Sequence, residues 1–139
     1  MIEVVNRQRR RRIDCERWQG FSEKALKAIG KTAGATIAFV SNTQIKALNK
    51  RFRGVNKVTD VLSFPAGPDL DQASDLFLGD IAISIEQAES QAADNELDFD
   101  QEVAQLILHG MLHLCGYDHE TDDGEMNRLE LRLRKRLGI

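Results

Sequence analysis

The chain lacks the features that define several large protein classes. It has only two cysteines, Cys15 and Cys115, which is too few for a disulfide framework, so both are expected to be reduced thiols. No apolar run approaches the roughly 20 residues that a membrane-spanning helix requires. The first residues also lack the basic-then-apolar order of a signal peptide. These absences argue against a disulfide scaffold and a membrane protein, and they predict a cytoplasmic protein with no membrane partner.

The order of predicted strands and helices indicates the fold class. The 139 residues match the size of one domain, so residues 1–139 are expected to form a single domain. Apolar, β-branched segments predict four strands, at residues 2–5, 36–40, 58–64 and 78–84. Residues 66–75 are expected to form an exposed loop. A first helix is predicted at residues 23–29 with Ser22 as its cap, and a second after a cap at Ser41 or Asn42. Further helices are predicted from the fourth strand to about residue 93, from Asp98 to Gly116, and after a cap at Thr121. This order indicates an α/β (α+β) domain with one mixed sheet of about four strands and surrounding helices.

Charge is distributed unevenly along the chain. Residues 1–57 carry a net charge of +10 and the remaining residues carry −13, which together give the overall charge of −3. Five of the arginines fall within residues 7–12. Such a division can indicate a polyanionic partner for the first half of the chain. Alternatively, the two halves can neutralise each other across the fold.

The three histidines of the chain form the most informative pattern. His109, His113 and His119 all lie within eleven residues. A spacing of four places His109 and His113 on one face of a helix, where two imidazoles can share one tetrahedral metal. Gly116 allows the chain to turn out of the helix and bring His119 back as a third ligand. Three protein ligands leave the fourth position for water, so the pattern predicts a catalytic zinc-type site.

The residue after His109 separates this pattern from that of the metallopeptidases with the same histidine spacing. Those enzymes carry a glutamate there as general base, whereas this chain has Gly110, which cannot accept a proton. Asp118 is predicted to orient a ligand imidazole or to stabilise the turn, with a role as base less favoured. The spacing of Cys115 places it off the His109/His113 face, so a structural role is predicted for it.

Three sequence blocks resemble one protein family. The histidine block reads HGMLHLCGYDH and is similar to H-G-x-L-H-L-x-G-Y-D-H, the signature of the YbeY family of rRNA-processing endoribonucleases. Residues 48–54 (LNKRFRG) and 59–65 (TDVLSFP) resemble the family pattern LNxxYRG…PTDVLSFP. Residues 78–84 (LGDIAIS) resemble LGDIxIS. Phe52 and Val58 depart from the pattern, since the family more often has tyrosine and proline at these positions.

The resemblance implies a zincin-like α/β fold and a metal-dependent endoribonuclease specific for single-stranded RNA. It implies action in 16S rRNA 3′-end maturation and ribosome quality control, with ribosomal RNA and the small ribosomal subunit as partners. His109, His113 and His119 correspond to the metal ligands, and one zinc ion, or alternatively another divalent transition metal, is expected. Arg53 and His109 are the expected catalytic residues. Arg53 suits a bidentate contact to a phosphate.

Two other functions remain open from the residues alone. One is a metallopeptidase, which the missing glutamate disfavours. The other is a ribosome assembly factor with a structural metal, which three ligands and an open fourth position disfavour. Lys50, Arg51 and Lys57 flank Arg53 and are expected to steer an RNA backbone. The arginines of residues 7–12 either extend that track or form a solvated arm.

Overall fold

The computed structural model describes residues 1–66, 77–118 and 122–139, and this part of the chain forms four strands and five helices. In chain order the elements are β1 (Ile2–Asn6), α1 (Cys15–Ile29), β2 (Gly34–Val40), α2 (Asn42–Arg53), β3 (Val61–Pro65), β4 (Phe77–Ser84), α3 (Ile85–Asp94), α4 (Phe99–Leu114) and α5 (Glu125–Leu137). Of these helices, none is both long and apolar enough to cross a membrane.

The four strands form one mixed sheet with the spatial order β1-β2-β4-β3. Strands β1 and β2 run parallel to each other, as do β2 and β4, while β3 is antiparallel to β4 at the edge. The central strands β2 and β4 are mostly apolar, as expected for strands that are covered by helices on both faces. This topology confirms the predicted α/β class and the single mixed sheet of four strands.

Helices cover both faces of the sheet, since alternate residues of β4 belong to two separate apolar clusters. Ile81 and Ile83 belong to the larger cluster, which includes side chains of α1, α4 and α5. Ala82 points to the opposite face and packs with Ile45 of α2. Helix α2 therefore lies on one side of the sheet and helix α4 on the other.

Two predicted helix starts differ from the structure. Helix α1 begins at Cys15 and not near residue 23, because the Asp14 side chain accepts a hydrogen bond from the Arg17 N–H and caps the helix there. Ser22, the predicted cap, is instead fully buried within α1. Helix α5 begins at Glu125, where the Asp122 carboxylate accepts hydrogen bonds from the N–H groups of residues 124 and 126 at 2.8 and 2.9 Å. Its predicted cap, Thr121, lies outside the described residues, as does the predicted loop beyond Ala66.

Part of the charge asymmetry is neutralised within the fold. Arg10 and Arg11 bind the carboxylate of Glu89 on α3 at 2.6 and 3.0 Å. The Arg10 contact holds the pKa of Glu89 below its ordinary value. Arg17 pairs with Asp100 on α4 at 2.6 Å. For these arginines the structure supports neutralisation between the two halves of the chain.

Helix α4 approaches the sheet closely at Gly110. A Cβ atom added there would stand 3.1 Å from two side-chain carbons of Ile81, which is tighter than ordinary contacts. Ser63 of β3 donates a hydrogen bond from its hydroxyl to the Gly110 carbonyl at 3.1 Å. The absence of a side chain at residue 110 therefore sets how near the histidine-bearing helix lies to the sheet.

We predict that Gly110→Ala lowers the free energy of unfolding by about 1–2 kcal/mol, because overpacking outweighs the better helix propensity of alanine. Gly20→Ala is the matched control, since Gly20 lies in α1 with no atom within 4 Å of the added Cβ. That control should gain about 0.5–1 kcal/mol. Urea denaturation measures both values. Equal stabilisation of the two variants would show that α4 does not pack tightly against Ile81 at residue 110.

Candidate metal centre and active site

His109 and His113 project from the same face of α4, near its carboxyl end. Their Nε2 atoms lie 3.1 Å apart, and the two rings meet nearly at right angles with centroids 4.7 Å apart. The capping box formed by Asp98 and Gln101 fixes the other end of the helix. The i, i+4 spacing in the sequence therefore gives the convergent pair that was predicted from it.

The separation of the two nitrogens fits a shared metal ion. Two ligand nitrogens at about 2.0–2.1 Å from a tetrahedral zinc stand about 3.3 Å apart. The 3.1 Å between the Nε2 atoms of His109 and His113 is close to that value. Imidazole nitrogen is also a ligand that zinc prefers. These two residues can hold a metal without moving far.

A buried carboxylate fixes the orientation of His109. Glu130 of α5 is only 5% exposed, and its Oε1 lies 2.8 Å from the Nδ1 of His109. Arg134, one turn further along α5, donates to the other oxygen of Glu130 at 2.6 Å. With Nδ1–H donating to Glu130, the lone pair of His109 lies on Nε2, which faces His113. This arrangement of carboxylate and histidine is common at metal sites.

The charge of Glu130 is stabilised in this environment. Burial by itself raises the pKa of the Glu130 carboxyl. The hydrogen bonds from His109 and Arg134 and the positive charge of Arg134 outweigh burial, so the net pKa of Glu130 lies below its ordinary value. Glu130 is therefore present as the carboxylate at neutral pH and can accept both hydrogen bonds.

The third predicted ligand, His119, lies outside the described residues, so its convergence with the other two stays a prediction. Gly116 adopts a φ of 97° directly after the helix cap at Cys115, and this left-handed turn takes the chain out of α4. Within the described ranges, no group of three or more histidine, cysteine, aspartate or glutamate side chains could hold a metal. Cys115 lines a separate hollow with Ile29, and burial raises the pKa of its thiol.

Arg53 shares a cleft with the histidine pair. A cavity of about 590 Å³ is lined by Arg53, His109 and His113, together with Asp60, residues 61–63, Pro65, Gly116, Tyr117 and Asp118. Arg53 is the last residue of α2, and Gly54 ends that helix with a φ of 71°. Across the described ranges, no hydrogen bond or ion pair occupies the Arg53 guanidinium. The fold thus brings together residues that are far apart in the sequence.

Two acidic residues of the site were missed in the sequence. Glu130 could have been noticed because it lies between Met126 and Leu133 on the buried face of α5, where an acid needs a partner. Asp60 lines the cleft and also a second hollow on the other side of His109. One of its oxygens accepts the Val61 N–H at 2.8 Å. The TDVLSFP block contains Asp60, but no local pattern assigned it to the cleft, because it shares that cleft with His109 only in the folded chain.

Fold and site together define a small α/β domain with a helical histidine pair facing a cleft. Comparisons with known proteins specify the family, since the family model for Endoribonuclease YbeY matches residues 3–138. Endoribonuclease YbeY of Koribacter versatilis is 44% identical over 119 residues, covering 86% of this chain and 74% of that protein. Endoribonuclease YbeY of Caldanaerobacter subterraneus subsp. tengcongensis is 35% identical, with 99% of both chains covered.

A solved structure agrees with this assignment. The solution structure of TM1509 from Thermotoga maritima is similar with a TM-score of 0.67 and 28% sequence identity, covering 99% of this chain and 89% of that one. The chain belongs to the YbeY endoribonuclease family.

We predict that Glu130→Gln weakens zinc binding about 10- to 100-fold, because an amide holds the His109 ring less firmly in the metal-binding tautomer. Competition with a chromophoric chelator measures the affinity. Glu125→Gln is the matched control, since Glu125 is an exposed acid at the start of the same helix. An affinity unchanged by Glu130→Gln would rule out the orienting role of this carboxylate.

Proposed function

We propose that this protein is a zinc-dependent endoribonuclease that cleaves single-stranded RNA in 16S rRNA 3′-end maturation and ribosome quality control. The small ribosomal subunit is its proposed partner and the cytoplasm its proposed location. The observation that carries the proposal is the shared cleft of Arg53, His109 and His113. A cleft that combines a metal-type histidine pair with a guanidinium that no described residue pairs with suits a phosphodiester, because the substrate is an anion.

The proposed metal ligands are His109, His113 and His119. The ion, when bound, supplies positive charge at the phosphate and lowers the pKa of a water molecule to about 7. Glu130 accepts the Nδ1 proton of His109 at 2.8 Å and keeps its Nε2 directed toward His113. Arg134 holds the second oxygen of that carboxylate, so the orientation of His109 depends on two side chains of α5.

Arg53 is the proposed phosphate-binding residue. Its guanidinium can donate two parallel hydrogen bonds to the phosphate oxygens, which orients the scissile group in the cleft. As the reaction proceeds, negative charge grows on those oxygens, and a fixed cation stabilises it. Gly54 ends α2 directly after Arg53, so the side chain is presented from a rigid helix end.

Carboxylate side chains are the proposed proton-transfer groups of the cleft. Asp60 and Asp118 line the same cavity as Arg53 and the histidine pair. Either carboxylate can accept a proton from an attacking hydroxyl group and return it to the leaving oxygen. The backbone N–H of Val61 fixes one oxygen of Asp60, so this carboxylate is the better oriented acceptor that the described residues offer.

The packing of Gly110 argues against the metallopeptidase alternative. A Cβ atom at residue 110 would be directed at Ile81, which is 1% exposed in the core, and not into the cleft. The packing at residue 110 therefore leaves no room for a longer side chain unless Ile81 shifts, and Gly110 itself supplies no general base. The remaining alternative, an assembly factor with a structural metal, does not require Arg53 in the cleft, whereas phosphodiester cleavage does.

We predict that Arg53→Ala lowers the single-turnover rate of cleavage of a single-stranded RNA by about 10²- to 10³-fold, as expected for loss of one charge-stabilising group. Arg53→Lys should recover only part of the rate, because an ammonium group cannot make the bidentate contact. Zinc content and melting temperature should stay at the wild-type values, since Arg53 is exposed and outside the core.

The controls for this experiment address charge and contamination. Arg132→Ala removes an exposed arginine of α5 and should leave the rate unchanged. His113→Ala and chelator treatment should each abolish cleavage, which excludes a contaminating metal-independent nuclease. A wild-type cleavage rate in the Arg53→Ala protein would refute the proposed contact between Arg53 and the phosphate. Cleavage that survives His113→Ala would refute the metal-dependent mechanism.

A further inference from the structure

Helix α2 and the loop that follows it form a basic surface to which they contribute no acidic residue of their own. Residues 41–59 contain no aspartate or glutamate, and their five cations are Lys46, Lys50, Arg51, Arg53 and Lys57. In the described part of the chain, none of the five forms an ion pair, unlike Arg10, Arg11 and Arg17. The helix dipole accounts for cations in the last turn of α2, but not for Lys46 or Lys57.

An exposed aromatic ring lies within this basic surface. Phe52 is 58% exposed, although its neighbours Ile45 and Leu48 on the same face of α2 pack inward. One side of the ring rests on Phe64 of β3, with centroids 5.2 Å apart and an angle of 61°. The guanidinium of Arg51 lies 5.3 Å from the ring centroid. Contact with Phe64 explains how the ring is held, but it does not explain why most of it is exposed.

The aromatic pair lies across the edge strand β3 from the cleft. Phe64 packs in the cluster that includes Ile45 of α2, whereas its strand neighbours Ser63 and Pro65 line the cleft together with Arg53, which directly follows Phe52 in the chain. The loop after α2 is also fixed, because the buried Asn49 side chain donates to the Lys57 carbonyl at 3.0 Å. The Val55 N–H bonds to the Asn49 carbonyl at 3.3 Å. The ring and the cations around it therefore form a surface that is organised before any ligand binds.

We propose that Phe52 is a stacking platform for one base of the RNA strand, next to the phosphate that Arg53 holds. Arg51 and Lys57 then contact the flanking phosphates. This inference rests on the proposed function for its substrate. A stacked base must expose a face to the ring, which bases inside a duplex do not, so the platform selects single-stranded RNA. A ring on a positively charged surface is the usual arrangement for such binding.

The test uses the zinc-loaded full chain and a short single-stranded 2′-O-methyl RNA that contains 2-aminopurine, with a duplex of the same sequence for comparison. Phe52→Ala should weaken single-strand binding about tenfold and remove the quenching of 2-aminopurine fluorescence. Phe52→Tyr should bind like the wild type. Phe52→Leu keeps an apolar contact with Phe64 but lacks a π face, so it should resemble Phe52→Ala while remaining folded.

Two controls separate stacking from general effects. Leu131→Ala removes a 53% exposed apolar side chain of α5 and should change neither affinity nor quenching. Duplex affinity should stay the same in every Phe52 variant. Arg51→Gln and Lys57→Gln should each reduce the slope of log affinity against log salt by about 1.

The outcomes distinguish this inference from the proposed function. Wild-type single-strand affinity and quenching in both Phe52→Ala and Phe52→Leu would refute the platform, while RNA cleavage that depends on Arg53 would still support the proposed function. Equal weakening of single-strand and duplex binding would also refute the platform. A wild-type protein that shows Phe52-dependent quenching but cleaves no RNA would support the platform and refute the proposed function.

Discussion

The close contact between helix α4 and strand β4, at Gly110 and Ile81, determines where the cleft can form. Because residue 110 has no side chain, the helix lies close against the sheet, and His109 and His113 project from a neighbouring face of the helix beside the contact. Ser63 ties the same point of the helix to β3, whose neighbouring residues form the cleft wall. Arg53 and Asp60 line the same cleft as the two histidines. The positions of the reactive groups thus follow from one packing contact.

A second constraint comes from the buried charges behind His109. Glu130 is nearly fully buried, and an ionised carboxylate in such a place needs hydrogen-bonding partners. His109 and Arg134 supply them at 2.8 and 2.6 Å. Loss of either partner would leave an uncompensated charge, so the three side chains behave as one unit. These three side chains join helix α5 to the face of α4 that carries His109 and His113. Glu130 and Arg134 also line the neighbouring hollow.

Local patterns predicted the parts of the site that depend on local geometry. The i, i+4 spacing of His109 and His113 predicted their convergence, and β-branched segments predicted the four strands. Glu130 could not be predicted in this way, because its contact with His109 joins two helices. Helix α1 begins earlier than predicted because the Asp14 side chain caps it. This cap was not recognised in the sequence, where it follows the run of arginines. The family resemblance, not any physical pattern, singled out Arg53, and only the fold explains its nearness to the histidines.

X-ray absorption at the zinc edge tests the central claim most directly, because it reports the ligands of the metal without depending on activity. Our account predicts one zinc per chain, with only nitrogen and oxygen neighbours at about 2.0–2.1 Å. The outer-shell signal should correspond to three imidazoles in the wild type and to two in His119→Ala. A sulfur neighbour at about 2.3 Å would place Cys115 or Cys15 in the site and contradict the account. A purified protein that retains no zinc at all would contradict it as well.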